Sequence, residues 1–259
     1  EDITLARSDS RVEVERLMSY AIGCMMGRYS LDKPGLVYAQ SGNEGFDSAH
    51  YKMFHADHDG IIPLTDTVWF DDDAANRVIE FIEVAWPKEH LEENLSFTAE
   101  SLGPNKGEQA RDTIRRYLAQ DFFKDHLKIY KKRPIYWLFS SGKQRAFQCL
   151  VYLHRYNEGT LSRMRTEYVI PLQGKISARI EQLAGDIAAA TSTAFRSKLT
   201  KERDKLIKQQ TELQAFDEKL RHYADLRISL DLDDGVKVNY GKFGDLLAEV
   251  KAITGGSED

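Results

Sequence analysis

Cationic side chains border an apolar and aromatic run in the stretch YKKRPIYWLFSSGKQRAF, residues 130–147. Lysine and arginine side chains hold the phosphates of nucleic acids without reading their sequence. The run from Ile135 to Phe139 is too apolar to face bases as a whole, so we expect most of it in the core, with Tyr136 or Trp137 at an edge as possible stacking residues. The candidate phosphate contacts are Arg115, Arg116, Lys131, Lys132, Arg133, Lys143 and Arg145.

The charge of the chain is polarised along the sequence, although its formal net value is only −5. Residues 41–110 hold 15 acidic and 4 basic residues, whereas residues 111–165 hold 13 basic and 4 acidic residues. The total does not indicate a nucleic-acid-binding protein, but segment 111–165 is basic enough to present a positive face. The candidates form one basic surface if the turn at 140–142 brings both ends of the run near the preceding helix. The alternative is a solvated face that pairs with segment 41–110.

A second group of polar residues raises the question of a metal site in HYKMFHADHDGIIPL, residues 50–64. The spacing of its ligand-type side chains matches no zinc or EF-hand pattern. We therefore predict no metal site, and we interpret Asp59–Gly60 as a turn that enters a short strand at 61–64. The side chains in question are His50, His55, Asp57, His58 and Asp59.

The sequence lacks the known signatures of a catalytic site. It contains no Walker loop, no dinucleotide-binding glycine pattern, no HExxH, no GxSxG and no Asn-Pro-Pro-aromatic motif. Cys24 and Cys149 are far apart in apolar surroundings, which is typical of buried free thiols in a reducing cytoplasm. We predict no catalytic residue, no cofactor and no metal in this chain, and instead a binding or scaffolding role in the cytoplasm.

The elements that must position these residues are mainly helical, with a few short strands. Helical spacing of apolar residues predicts helices at 11–28, 67–86, 89–102 and 108–128. β-Branched and aromatic residues favour a short strand or an extended buried segment at 135–139, and a mostly buried strand or a short helix follows at 145–156. From Ile176 onward the apolar spacing is heptad-like, with a break near 191–193. We predict a mixed, mostly helical domain at 1–171 with basic segment 111–165, followed at 172–259 by a long coiled-coil-like helical hairpin or arm and a C-terminal cap.

The hydropathy of the chain gives no sign of a membrane-spanning or a secreted protein. Neither an apolar run long enough to cross a bilayer nor a signal peptide is visible, so we expect no membrane contact.

The tail from Leu230 predicts a turn at 233–235, an extended piece at 236–238, a final helix at 243–253 and disordered last residues. The absence of an initiator methionine suggests a chain cut from a longer protein.

Several long phrases, in order, resemble the C-terminal part of the PglX family, the adenine-specific DNA methyltransferases of BREX phage-defence systems. The resemblance covers most of the chain. Related sequence stretches occur at the ends of fused type II restriction-modification enzymes. The matching phrases are LMSYAIGCMMGRYSLDKPGL, DGIIPL, DFFKDHLKIYKKRPIYWLFSSGKQRAFQCLVYLHRY and LDLDDGVKVNYGKF.

This resemblance implies a parent enzyme that transfers a methyl group from S-adenosylmethionine to adenine N6 after the base is flipped out of the duplex. The adenine-gripping motif and the methyl-donor pocket belong to an upstream domain, so no catalytic residue is carried over. The resemblance implies a region that holds double-stranded DNA or supports target recognition beside the methyltransferase domain. The alternative is a protein-interaction module that docks other BREX proteins or a phage-encoded inhibitor, with the arm as docking element.

Overall fold

A computed structural model describes residues 9–255 of the chain. The described residues are mainly helical and include one small antiparallel sheet, which confirms the predicted fold class. The helices are α1 (Ser10–Met25), α2 (Ala74–Ala85), α3 (Leu91–Leu102), α4 (Ala110–Gln120), α5 (Phe122–Ile129), α6 (Thr160–Arg163), α7 (Ile170–Ala189), α8 (Thr193–Asp225), α9 (Gly235–Gly241) and α10 (Val250–Thr254). The strands are β1 (Ile61–Pro63), β2 (Tyr136–Ser140) and β3 (Gln148–Tyr152). The predicted disorder of the last residues falls on 256–259, outside the described residues.

The sheet has the strand order β1-β3-β2, and both pairings are antiparallel. Leu150 of β3 lies opposite Ile62 on one side and Leu138 on the other. Every residue of β3 is buried, as expected of a strand that is covered on both faces. Pro63, which cannot donate a ladder hydrogen bond, lies in the edge strand β1. The predicted short strands are therefore present and form one hairpin with an added third strand.

Helices α1 to α5 pack on one another, and α5 meets β2 where the ring of His126 stacks on that of Tyr136. Asp9 caps α1 by accepting a hydrogen bond from the backbone N–H of Arg11, and Asp73 caps α2 through the N–H of Asn76. The helix predicted for residues 108–128 is wrong in one respect, because the chain leaves helical geometry at Asp121. Phe122, which directly follows the break, is fully buried.

Helices α7 and α8 form an antiparallel hairpin, and the predicted break between them is confirmed at residues 190–192. Ser192 caps α8, which is 33 residues long and so extends about 50 Å. Its second half packs on α6 and on the π-helical turn Met164–Val169 that joins α6 to α7. The division of the chain at residues 171 and 172 stays a prediction, and it falls within the continuous helical run from 160 to 189.

The C-terminal segment lies along the outer edge of β2. The indole of Trp137 meets the rings of Tyr240 and Phe243 edge to face, with centroids 5.3 and 5.7 Å away. Ala248 donates its backbone N–H to the carbonyl of Leu138 at 2.8 Å. The C-terminal segment thus covers the outer edge of β2, which would otherwise be free to pair with another chain.

Two predictions for the tail are wrong. The extended piece at 236–238 is part of helix α9, where the side-chain amide of Asn239 donates to the carbonyls of Asp231 and Gly235. Of the helix predicted at 243–253, only α10 is α-helical, because the segment before it lies on β2. In both cases packing against the sheet outweighs local propensity.

Both cysteines are buried free thiols, as predicted. Burial raises the pKa of Cys24 to about 11, so this thiol stays protonated. Among residues 9–255, the helices are all too short or too polar to cross a bilayer.

Candidate nucleic-acid interface

The apolar run of β2 lies in the core. Tyr136, Trp137 and Phe139 are each 1 % exposed or less, which confirms that most of the run is buried. The indole N–H of Trp137 donates to the carbonyl of Pro134 at 2.9 Å. The expectation that Tyr136 or Trp137 stacks on bases from an edge is therefore wrong, because neither ring face is open.

Lys131, Lys132 and Arg133 form the exposed turn between α5 and β2, which we call the basic turn. Lys131 and Lys132 adopt left-handed backbone conformations, with φ of 49° and 60°. The N–H of Lys132 donates to the carbonyl of Leu127 at 2.8 Å, which closes the end of α5. Among the described residues, these three side chains have no ion-pair partner. The basic turn is thus open to an anion.

A buried histidine fixes the position of the basic turn. Nε2 of His126 accepts hydrogen bonds from the backbone N–H groups of Ile135 and Tyr136, at 3.1 and 3.2 Å. Because Nε2 is an acceptor, the neutral ring carries its proton on Nδ1. Burial, followed by the positive charge of Arg28, lowers the pKa of His126 to about 3. The ring is therefore neutral at physiological pH and able to accept both bonds.

Lys143 and Arg145 lie in the β2–β3 connection, residues 141–147, which we call the basic loop. One carboxylate of the arm organises this loop. Glu212 of α8 accepts from the hydroxyl of Ser141 at 2.7 Å and from the N–H groups of Gln144 and Ala146 at 2.7 and 3.2 Å. The loop is thus held in one conformation by a residue about 70 positions away in sequence.

Close packing between loop and helix also explains a glycine in the basic loop. Gly142 has φ of 135°, and a Cβ built there would lie 2.9 Å from a carboxylate oxygen of Glu212. The side-chain amide of Gln209 adds a hydrogen bond to the carbonyl of Gln144 at 3.0 Å. The sequence marks Gln209 as a polar gap in the heptad seam but does not indicate its contact with the loop, and nothing in the heptad pattern distinguishes Glu212 from other polar positions of the helix.

The basic turn and the basic loop lie at opposite ends of β2. Five strand residues at about 3.3 Å each separate them by roughly 17 Å. The expectation that all seven candidates join in one compact surface is therefore corrected, because the turn at 140–142 leads away from the preceding residues 131–133. The two groups are separate patches joined by the buried hairpin.

Arg115 and Arg116 are not in either patch. Arg115 is buried and its guanidinium pairs with Asp73, with a further hydrogen bond to the carbonyl of Thr65 at 3.2 Å. Arg116 donates to Glu108 at 2.9 Å and to the carbonyl of Gly103 at 2.7 Å. The hydrogen bonding of Arg116 to the Glu108 carboxylate is the main cause that lowers the pKa of Glu108 to about 2. Both arginines are engaged with the acidic segment 41–110, so we remove them from the candidates.

The basic loop borders two adjoining clefts. The larger, about 480 Å³, lies between the end of α4, the loop and the C-terminal segment, and the smaller is about 210 Å³. Lys143, Arg145 and Gln148 line both. Within the described residues, Oε1 of Gln148 is buried without a hydrogen-bond partner.

The acidic group near residue 58 is organised as a turn, as predicted. Asp57 Oδ1 accepts from the N–H groups of Asp59 and Gly60, at 3.0 and 2.7 Å, and Asp59 Oδ1 accepts from that of Ile61 at 2.8 Å. Possible ligand atoms of Asp57, His58 and Asp59 lie within 4.8 Å of one another. Burial, followed by the neighbouring Asp57, raises the pKa of Asp59 to about 7. The carboxylates thus have a structural role in forming this turn.

The chain is similar over nearly its whole length to adenine-specific methyltransferases. It is 60 % identical over 262 residues to the adenine-specific methyltransferase BrxX of Escherichia coli O9:H4 (strain HS), a match that covers 98 % of this chain and 21 % of the relative. It is 42 % identical over 256 residues to the adenine-specific methyltransferase PglX of Lacticaseibacillus casei (strain Zhang), with the same coverage of 98 % and 21 %. No protein-family model matches the chain.

These matches confirm the predicted resemblance to the PglX family, because almost every part of this chain aligns with such a protein. The chain spans about a fifth of the length of the two relatives.

Proposed function

We propose that this chain is the C-terminal, DNA-engaging region of an S-adenosylmethionine-dependent, adenine-N6-specific DNA methyltransferase of BREX phage defence, and that it supports target recognition. The observation that carries the proposal is the similarity of 98 % of the chain to adenine-specific methyltransferases. The methyl donor and the flipped adenine are bound by an upstream domain, which is a partner of this region in the cytoplasm. On this proposal the upstream domain, rather than this chain, supplies the cofactor pocket and the catalytic residues.

Double-stranded DNA is the partner that the basic patches fit. The basic turn and the basic loop are roughly 17 Å apart along the hairpin. At about 3.4 Å of helix axis per phosphate of one strand, a duplex aligned with this span presents roughly five phosphates of that strand. Two rigidly held patches at that separation suit a duplex backbone better than a single small anion. Their role is positioning, because phosphate contacts carry no sequence information directly.

The proposal predicts a change in the salt dependence of DNA binding. In the intact methyltransferase, Lys131, Lys132 and Arg133 are changed to Ala in one variant, and Lys143 and Arg145 in another. Binding of a fluorescent duplex is measured by anisotropy between 50 and 200 mM salt. Each lost phosphate contact reduces the slope of log affinity against log salt by about 0.9.

A charge-matched control separates phosphate contact from general electrostatics. Lys33, Lys52 and Lys106 are exposed, and in the described residues none has an ion-pair partner. The triple Ala variant of these lysines removes the same charge as the basic-turn variant and should leave the slope close to the unmodified value. The DNA-engaging role is rejected if both patch variants behave like this control.

A second candidate function is a protein-interaction module. Its supporting observation is the tip of the α7–α8 hairpin, where Phe195 is 53 % exposed beside the break. The partners would be other BREX proteins or a phage-encoded inhibitor. Phe195→Asp should abolish capture of the purified partner while leaving DNA binding intact. If all partners are still captured, the tip has no docking role.

A further inference from the structure

Four lysines form a row along the first half of α8. Lys198, Lys201, Lys205 and Lys208 are spaced by three, four and three residues. At 100° per residue they fall within about 80° of arc, and they extend over about 15 Å of the helix. All four side chains are exposed. We call this set the lysine row.

The lysine row leads directly to the basic loop. Glu212 follows Lys208 by four residues, so it lies on the same side of the helix, and it is the residue that holds the loop. Lys205 lines the same 210 Å³ cleft as Lys143 and Arg145. The row and the loop therefore share one continuous surface.

Acidic side chains near the row are already engaged. Asp66 pairs with Lys205, and Glu202 pairs with Arg179 of α7 at 2.7 Å. Asp204 pairs with its neighbour Arg203 at 3.2 Å. Both carboxylate oxygens of Glu212 accept hydrogen bonds from the basic loop.

In the described part of the chain, Lys198, Lys201 and Lys208 have no acidic partner. Three of the four row lysines therefore stay uncompensated. The surface that joins the row to the basic loop is consequently positive.

We infer that the lysine row and the basic loop form one phosphate-binding track for the backbone of double-stranded DNA. This rests on the proposed function, and it gives α8 a role other than docking a protein. The row is about as long as the stretch of duplex axis that presents four phosphates of one strand, at about 3.4 Å of axis per phosphate. Lysine suits such a track because its ammonium is a point charge on a flexible stem, which holds phosphate without base-specific geometry.

The test is a triple variant, Lys198→Ala, Lys201→Ala and Lys208→Ala, in the intact methyltransferase. Lys205 is retained because it pairs with Asp66. The loss of three contacts should reduce the slope of log affinity against log salt by about 2.7, so that the loss of affinity between 50 and 200 mM salt shrinks by about 40-fold. The control variant at Lys33, Lys52 and Lys106 removes equal charge and should retain the slope.

Measuring the variant Lys143→Ala, Arg145→Ala in parallel distinguishes failure of the track from failure of the proposed function. If the loop variant lowers the slope and the row variant matches the control, the track is rejected and DNA contact by the loop stands. If neither lowers it, the track is rejected, and the DNA-engaging role is rejected as well when the basic-turn variant also matches the control.

An acidic protein is the other possible occupant of the row. If the row variant binds DNA normally but no longer captures a purified acidic inhibitor or BREX partner, the row is a protein-docking surface and the track is overturned. A photo-crosslinker at position 201 gives a readout that does not depend on whether the triple alanine variant folds. The track predicts crosslinks to duplex DNA from position 201 and none from position 106. Equal yields at the two positions would overturn it.

Discussion

Single residues hold the two basic patches in place, Glu212 from about 70 positions away in sequence and His126 from five positions before Lys131. Glu212 accepts three hydrogen bonds from the basic loop, and His126 accepts two from the strand entry beside the basic turn. Neither was a candidate from the sequence. A glutamate on a helical arm and a histidine among aromatic residues carry no signal of these roles before the fold is known.

Changing Glu212 to Ala should loosen the basic loop. The loss removes the partner of the part-buried N–H of Ala146, while water replaces it at the exposed N–H of Gln144, so the unfolding free energy falls by about 0.5–1.5 kcal/mol. DNA affinity should fall although one negative charge has been removed, whereas a purely electrostatic effect would raise it. The measurement is duplex binding by anisotropy together with chemical unfolding. Glu218→Ala, an exposed position on the same helix, is the control. Tighter DNA binding by the Glu212 variant would contradict the positioning role.

His126 should make stability depend on pH between about 6.5 and 3. Burial lowers the pKa of the folded-state ring to about 3, while the unfolded ring titrates near 6.5. As pH falls through this window, the unfolded chain binds a proton that the folded chain does not, so the free energy of unfolding decreases. Urea unfolding at several pH values measures the effect.

The matched variant for this pH prediction is His126→Gln, whose amide oxygen is able to accept a hydrogen bond but does not titrate. It should flatten the pH dependence in this window, although it lowers stability overall. His90→Gln, at an exposed position, serves as control and should retain the dependence. An unchanged pH profile in the His126 variant would reject burial of this ring as the cause.

At the scale of elements, the sequence predicted those helices and strands that depend on local composition and periodicity. The strands at 61–63, 136–140 and 148–152 and the break between α7 and α8 were all visible, because each depends on local composition. The break at Asp121 and the helix at 235–241 were not visible. Both depend on which aromatic rings reach the core, as with Tyr240 on Trp137, and tertiary packing of this kind overrides local preference.

Helix α8 is part of the core as well as an arm. Leu213 is fully buried, and the ring of Phe216 lies 6.1 Å from that of Phe147 beside the basic loop. Leu213→Ala should therefore cost about 2–5 kcal/mol of unfolding free energy. Ile207→Ala on the same helix, where the side chain is 43 % exposed, should change it by less than about 1 kcal/mol.

Chemical unfolding of these two variants provides the check on α8. Equal effects at positions 207 and 213 would show that α8 is an independent arm. Deletion of the whole arm is not a clean test of its partners, because the deletion also removes core residues. Point variants on the exposed side of the helix are the sounder experiment.

At the scale of the whole molecule, the charge count of the sequence overstates the free positive surface. Arg115 pairs with Asp73, Arg116 with Glu108, and Arg111 with Glu92 at 2.8 Å, so part of the basic segment neutralises the acidic one. The alternative, in which basic residues of segment 111–165 pair with the acidic segment 41–110, therefore holds for these three arginines. Which cations pair depends on how α2, α3 and α4 pack, and composition does not contain that information.

The candidate site was therefore predictable only in part. Five of the seven candidates, the basic turn and the basic loop, lie at or near the surface, and the sequence pointed to them because they border an apolar strand. The lysine row was not among them, since a charged helix face is the usual pattern of a solvated helix. Its significance depends on the loop that α8 meets, which is a long-range contact.

The most direct test of the account is a structure of the full-length protein that contains this chain, bound to double-stranded DNA. The account predicts that phosphates of one strand lie within hydrogen-bond distance of Lys143 and Arg145, and that the duplex extends toward either the basic turn or the lysine row. It would be contradicted by a duplex that leaves all of these side chains in solvent and contacts this region elsewhere or not at all.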